Sequence, residues 1–157
     1  MNDVDVLAIG HIDKGRIVVA GKSQSIAGGA IHFGGIVLLA LGLRVGVVTR
    51  VAKNDLDLLS DLHNAGALIY PVFSHETTAI ENVIPNLSSD ERRCFCRGFA
   101  GTFRPEDLPP ISAKLYYLGT IITNEIDLAF LQAVAERGPV ALDAQGCLRK
   151  LVGDELV

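Results

Sequence analysis

Residues 26–49, Ile26-Ala27-Gly28-Gly29-Ala30 through Leu41-Gly42-Leu43-Arg44-Val45-Gly46-Val47-Val48-Thr49, decide how the chain is read. A glycine pair turns the backbone into an Ala-, Leu- and Ile-rich run, Ala30 to Leu43, which reads as a helix. Gly42 stands where a helix needs a left-handed stop. A β-branched run, Arg44 to Thr49, then follows with no alternation of polar residues, as expected of a buried parallel strand. Helix followed at once by buried strand is one half of a βαβ unit.

Reading outward, the same rhythm recurs on both sides. Val4 to Gly10 is an apolar strand that ends on glycine, and Arg16 to Ala20 is a second strand candidate closed by Gly21. Asn54 to Ala65 predicts a helix with Leu56, Leu58, Leu59 and Leu62 as its apolar stripe and Gly66 as its stop. Ala67 to Phe73 predicts another strand. Later, Lys114 to Gly119 is a strand and Asn124 to Arg137 a helix, capped by Thr123 or Asn124, with Glu125 and Asp127 in its first turn. Pro139 to Asp143 is the last strand, and the chain from Ala144 onward reads as loop without a closing element. This order predicts an α/β fold with a mostly parallel sheet and helices on both faces.

Between these blocks the pattern changes. Thr77 to Leu87 and Arg92 to Gly98 alternate polar and apolar residues around Ser88-Ser89-Asp90-Glu91. This predicts an antiparallel hairpin standing off the main sheet.

Composition excludes several classes. The chain has 157 residues, 49% hydrophobic and 20% charged, which suits one folded domain and not a disordered segment. A net charge of −4 argues against a binder of nucleic acid. No apolar run approaches the roughly 20 residues of a membrane-spanning helix. The acidic start lacks the order of a secretory signal. Three cysteines cannot all pair, so reduced thiols and a cytoplasmic location are expected.

Familiar motifs fail on spacing. Gly21-Lys22-Ser23 resembles the end of a phosphate-binding P-loop, but position 16, where that loop needs glycine, is Arg16. No Gly-x-Gly-x-x-Gly or Gly-x-Ser-x-Gly occurs. The four histidines and Cys94-x-Cys96 lack zinc-ligand spacing, so no metal site is expected. Cys94 and Cys96 read as small buried hydrophobes.

Three segments fall at the ends of strands expected to be parallel: Gly10-His11-Ile12-Asp13, Gly28-Gly29-Ala30, and Asp143 to Arg149. Ligands of open α/β sheets bind outside the carboxyl ends of the strands. Asp13 can accept hydrogen bonds from two hydroxyls, and Gly28 and Gly29 allow a close backbone approach. Gln145 can donate and accept, and Arg149 can meet an anionic group. Together these five residues suit a polyhydroxy ligand. Plainer roles fit them too: a turn at Asp13, a tight turn at Gly28-Gly29, a strand-end ion pair at Asp143 and a solvated tail at Arg149.

From about Val4 to Arg149 the chain resembles the N-terminal portion of the ribokinase-like (PfkB) carbohydrate kinases. The resemblance rests on the opening strand into Gly10-His11-Ile12-Asp13, on Ile26-Ala27-Gly28-Gly29-Ala30, and on Leu39 to Val51. It rests also on Lys53-Asn54-Asp55 and on the mid-chain hairpin, which fits that family's lid. Leu142 to Arg149 resembles a version found in polyol or nucleoside kinase-like members. The resemblance implies a three-layer αβα sandwich, here truncated, spanning residues 1–157, with a small antiparallel β lid from about 14–27 and 76–100. It implies ATP-dependent transfer of phosphate to a hydroxyl of a sugar, polyol or nucleoside, with Mg2+ arriving with the nucleotide. Asp13 would hold substrate hydroxyls and the Gly28-Gly29 turn would line the pocket. His32-Phe33 stands where the family often carries asparagine, and Ala52 replaces the usual glycine of a Val-Gly-x-Asp turn.

The family's Gly-Ala-Gly-Asp stretch, whose Asp is the catalytic base beside a phosphate-stabilising helix N-terminus, is absent from the sequence. No catalytic residue is therefore assigned, and the chain alone is expected to be inactive and to bind no nucleotide or metal. A homo-oligomer is expected, through the lid or an uncovered sheet edge. The alternative reading is a non-catalytic small-molecule binding or dimerisation module.

Overall fold

The computed structural model describes residues 3–86, 88 and 90–157. Strand β1 (Val4–Ile9) is the middle strand of the main sheet, paired along both edges and almost wholly buried. Beside it run β4 (Val45–Ala52), β5 (Leu68–Ser74), β8 (Ala113–Gly119) and β9 (Val140–Asp143), in the order β5-β4-β1-β8-β9. All four pairings are parallel, so all five strands end at one edge. The chain builds outward from β1 to β4 and β5, then returns to add β8 and β9 on the other side. The order thus reverses between β1 and β8, which is where such sheets open a crevice.

Side chains alternate between two cores. Leu7, Ile9, Val48 and Leu118 pack with Phe130 and Val134 of α3 (Leu128–Ala135) on one face. Ala8, Val45 and Val47 pack on the other with Ile31 of α1 (Ala30–Ala40) and with Leu62 of α2 (Ser60–Asn64). Helices on both faces complete three layers.

The second sheet stands over the ends of the first. It comprises β2 (Asp13–Val19), β3 (Lys22–Gly28), β6 (Ala79–Ile84) and β7 (Arg93–Gly98), extended by β10 (Leu151–Val152) and β11 (Glu155–Leu156). Its order is β10-β11-β7-β6-β2-β3. All its pairings are antiparallel except β2 with β6, so this lid is a mixed sheet.

Local departures from the sequence reading have local causes. Of the glycine pair read as a turn, Gly28 is the last residue of β3 and pairs with β2 in the register Asp13↔Gly28. The helix expected over 54–65 divides into a 3-10 segment, Lys53–Leu59, and α2, with a break at Asp55. There the Asp55 carboxylate accepts from Lys14 Nζ at 2.6 Å and from Thr77 Oγ1 at 2.7 Å, drawing the chain towards the lid. The cap of α3 is Asp127, whose Oδ1 accepts from Phe130 N–H at 2.8 Å, and not Thr123 or Asn124. The residues after Asp143 are not plain loop: α4 (Gln145–Leu148) and the β10–β11 hairpin close the edge of the lid. The hairpin between Thr77 and Gly98 forms as expected, although Leu87 and Ser89 of its connection lie outside the described residues. No helix among the described residues is long and apolar enough to cross a membrane.

Candidate acceptor site

Four of the five residues singled out in the sequence line one cavity of about 390 Å³ beneath the lid: Asp13, Gly29, Gln145 and Arg149. They come from the exit of β1, the start of α1 and the segment after β9, so the fold brings distant chain segments to the crevice between β1 and β8. The fifth, Gly28, does not line the cavity. It faces Asp13 across β2 and β3, and a Cβ there would stand 3.1 Å from Asp13 Oδ2. Gly28 therefore leaves room for the carboxylate. Gly29 serves differently: its φ of 96° turns the chain into α1, and a Cβ would meet the His11 carbonyl at 2.7 Å.

Asp13 is 8% exposed, and its Oδ1 accepts from Ile80 N–H on the lid at 2.8 Å. Burial pushes its pKa up to about 7, with the Ile80 N–H and the Arg149 guanidinium opposing the rise. Arg149 is fixed from two sides. Its Nη1 donates to the Ile121 carbonyl at 2.7 Å. With the Gln145 amide oxygen turned towards it, that oxygen accepts from Nη1 at 2.7 Å and Nη2 at 2.9 Å. Asp143 Oδ1 in turn accepts from Gln145 N–H at 2.9 Å. Gly146 sits so close to Thr120 that a Cβ would stand 2.7 Å from the threonine Cβ, which keeps α4 against the sheet end.

A second layer holds these groups in place. The neutral His11 ring, with its pKa lowered to about 3 by burial, lies between Phe99 and Phe103. A carbonyl can only accept, so His11 Nε2–H donates to Gly101 O at 2.9 Å and Nδ1 accepts from the Thr78 hydroxyl at 2.7 Å. Glu125 is 1% exposed and receives three backbone N–H groups, from His11 at 2.6 Å, Ile121 at 2.8 Å and Ile122 at 3.3 Å. Burial raises its pKa to about 7 against the pull of those donors.

The sequence reading missed the lid's contribution. Asn82 and Arg92 enter the cavity from above, and Phe33 and Tyr117 line it below. Alternation along β6 puts Asn82 on the same face as Ile80, so the period of the hairpin held that signal. A larger hollow of about 590 Å³ lies between the lid and the 53–59 segment. Five of its charged side chains pair with one another through Lys14–Asp55, Arg16–Glu81 and Arg97–Glu81, and it lies away from the crevice of the sheet. Among the described residues, no group of three or more His, Cys, Asp and Glu side chains is placed to hold a metal ion.

The layered sheet, the lid and the cavity between them define a ribokinase-like fold. The chain is similar to a pyrophosphate-dependent kinase in the ribokinase family solved with a pyrophosphate analog and myo-inositol, at 26% identity and a TM-score of 0.88. That match covers 97% of this chain and 53% of the other. A sulfate complex of a pyrophosphate-dependent kinase in the ribokinase family matches at 27% identity and a TM-score of 0.89, with 97% and 54% covered. The ribokinase of Thermotoga maritima shares the fold at 15% identity and a TM-score of 0.74, with 92% and 54% covered. The chain thus spans about half the length of the structures it matches. No protein-family model matches the sequence, and no curated protein matches it.

Proposed function

We propose that this chain carries the acceptor site of a ribokinase-family phosphotransferase, holding a sugar, polyol or nucleoside whose hydroxyl receives the phosphoryl group. The observation that carries this reading is the convergence of Asp13, Gly29, Gln145 and Arg149 on one lidded cavity at the strand-order reversal. In this role the Asp13 carboxylate accepts from ligand hydroxyls. Gln145 and Arg149 orient the ring from the side, and the lid excludes water through Ile80 and Asn82. Phosphoryl transfer depends on positioning and electrostatic stabilisation, and the Gly-Ala-Gly-Asp stretch that supplies the base in the family is not among these 157 residues. The chain therefore binds acceptor and does not turn it over alone.

For the donor, the family implies ATP with Mg2+, and neighbours with ADP and ATP support it. Among the described residues, no group of three or more His, Cys, Asp and Glu side chains stands ready to hold the metal. Pyrophosphate is the second reading, because the two structures at 26% and 27% identity belong to pyrophosphate-dependent kinases. We further place the protein in the cytoplasm as a homo-oligomer. Its three thiols are free, and Leu148 at 82% and Leu41 at 71% exposure leave apolar surface to cover.

Calorimetric titration of the chain with myo-inositol, ribose and adenosine tests the acceptor role. Binding of at least one is expected, with no release of ADP or phosphate from ATP or pyrophosphate. Absence of binding to all three overturns the acceptor role, and robust turnover overturns the division of labour.

A further inference from the structure

We propose that Glu125 is a positioning residue for the acceptor site, its carboxylate fixing the distance between Asp13 and Arg149 across the mouth of the cavity. Glu125 is 1% exposed and stands outside the lining of the acceptor cavity. It instead spans the two loops that leave the sheet at the strand-order reversal. Oε1 takes the N–H of His11, two residues before Asp13. Oε2 takes the N–H groups of Ile121 and Ile122 after β8. The Ile121 carbonyl is the group that anchors Arg149 Nη1. One side chain therefore holds a residue two positions before Asp13 and the very residue whose carbonyl anchors Arg149.

The donor set explains why the residue is a carboxylate. Three N–H groups converge on it, and a carboxylate offers two acceptor oxygens and no hydrogen. An amide would turn an NH2 towards one set of donors, and an apolar side chain would leave all of them unmet in a dry interior. A purely helical role does not account for Glu125. Helix α3 begins at Leu128, and its cap is Asp127. Asn124, with φ at 63°, turns the backbone just before Glu125. The Glu125 carbonyl is itself tied to Phe103 N–H at 2.9 Å.

The ligand-affinity part of this inference rests on the acceptor-site reading, and the amide-exchange part does not. The test is Glu125→Gln in the full chain, followed by amide hydrogen exchange and by titration with myo-inositol. Exchange at the His11 and Ile121 amides is expected to quicken about tenfold or more, since hydrogen bonds to charged groups are the stronger class. The amides of Val47 and Val48 in β4 should be unchanged, which separates a local loss from general destabilisation. The myo-inositol Kd should rise about tenfold. Arg149→Ala should weaken myo-inositol binding while leaving the His11 amide protected. Should Glu125→Gln fail to fold, Glu125→Asp, which keeps both oxygens on a shorter arm, gives the same local exchange signature if the proposal holds.

Unaltered exchange at His11 and Ile121 overturns the proposal. So does an unaltered Kd in a variant whose exchange has changed. If the wild-type chain binds no myo-inositol, that ligand fails as a probe of the acceptor reading. The exchange pattern and the NMR shift of the Asp13 carboxyl carbon in Glu125→Gln then decide the positioning role, an unmoved Asp13 signal counting against it.

Discussion

In the proposed role Asp13 meets two conflicting demands. Hydroxyl recognition needs an ionised carboxylate, whereas its burial favours the protonated one, so the group titrates near pH 7 and not near 4. Acceptor binding should therefore strengthen as pH rises through about 7, while the affinity of Asp13→Asn should be about ten- to a hundredfold weaker and should change less through that step, where only Glu125 still titrates. Calorimetry between pH 5.5 and 8.5 reads both. Stability runs the other way. A carboxyl whose folded pKa lies above its unfolded value contributes stability below the unfolded value and loses it as pH rises to the folded one. Asp13→Asn should thus be more stable than the wild type at pH 8, on the order of 2–4 kcal/mol, and close to it at pH 4. Urea midpoints at the two pH values check the sign, and equal midpoints at pH 8 would refute the shift. At this scale Asp13, Gly29, Gln145 and Arg149 were legible because their residue types matched strand ends. Glu125 was not: it read as one acid in a helical first turn, and only the folded path of 120–125 shows which amides it meets.

Helix ends set where the elements stop. After α1, Gly42 takes φ 82°, and the bonds Gly42 N–H to Leu39 O at 2.9 Å and Leu43 N–H to Leu38 O at 3.2 Å complete a Schellman motif. Gly66 ends α2 in the same way, bonding to His63 O while Ala67 bonds to Leu62 O. A Cβ at Gly42 would touch nothing within 4 Å, so Gly42→Ala isolates the conformational cost. It should lower unfolding free energy by about 1–2 kcal/mol with the cavity untouched, and thermal or urea unfolding alongside ligand titration measures both. These stops were legible because glycine is the residue that tolerates the left-handed cap. The break at Asp55 and the strands after Arg149 were not, since each depends on a partner elsewhere in the chain: Thr77 and Lys14 for the first, β7 for the second.

The whole molecule divides into a main sheet built from regular α/β units and a lid assembled from three separated stretches of chain. The parallel α/β build of the main sheet followed from the periodicity of its segments, and its strand order did not. Nor did the lid's parallel β2–β6 pairing, because nothing local specifies which hairpin edges meet. The outer strands β5 and β9 leave sheet edges free, and apolar side chains such as Leu128 and Leu142 lie exposed. Sedimentation velocity over a hundredfold range of concentration should show mass-action growth beyond the monomer. A single monomeric boundary throughout would count against the oligomer.

The β10–β11 hairpin is bolted to β7 by Arg93 on Glu155, at 2.9 and 2.7 Å, and by Arg97 on Asp154. This arrangement imposes a timetable on biosynthesis. Strands β2, β3, β6 and β7 leave the ribosome well before residues 151–156, so the outer margin of β7 waits uncapped while translation proceeds. In that interval its unpaired amides and carbonyls are open to strands of neighbouring nascent chains, and chaperone demand should peak there.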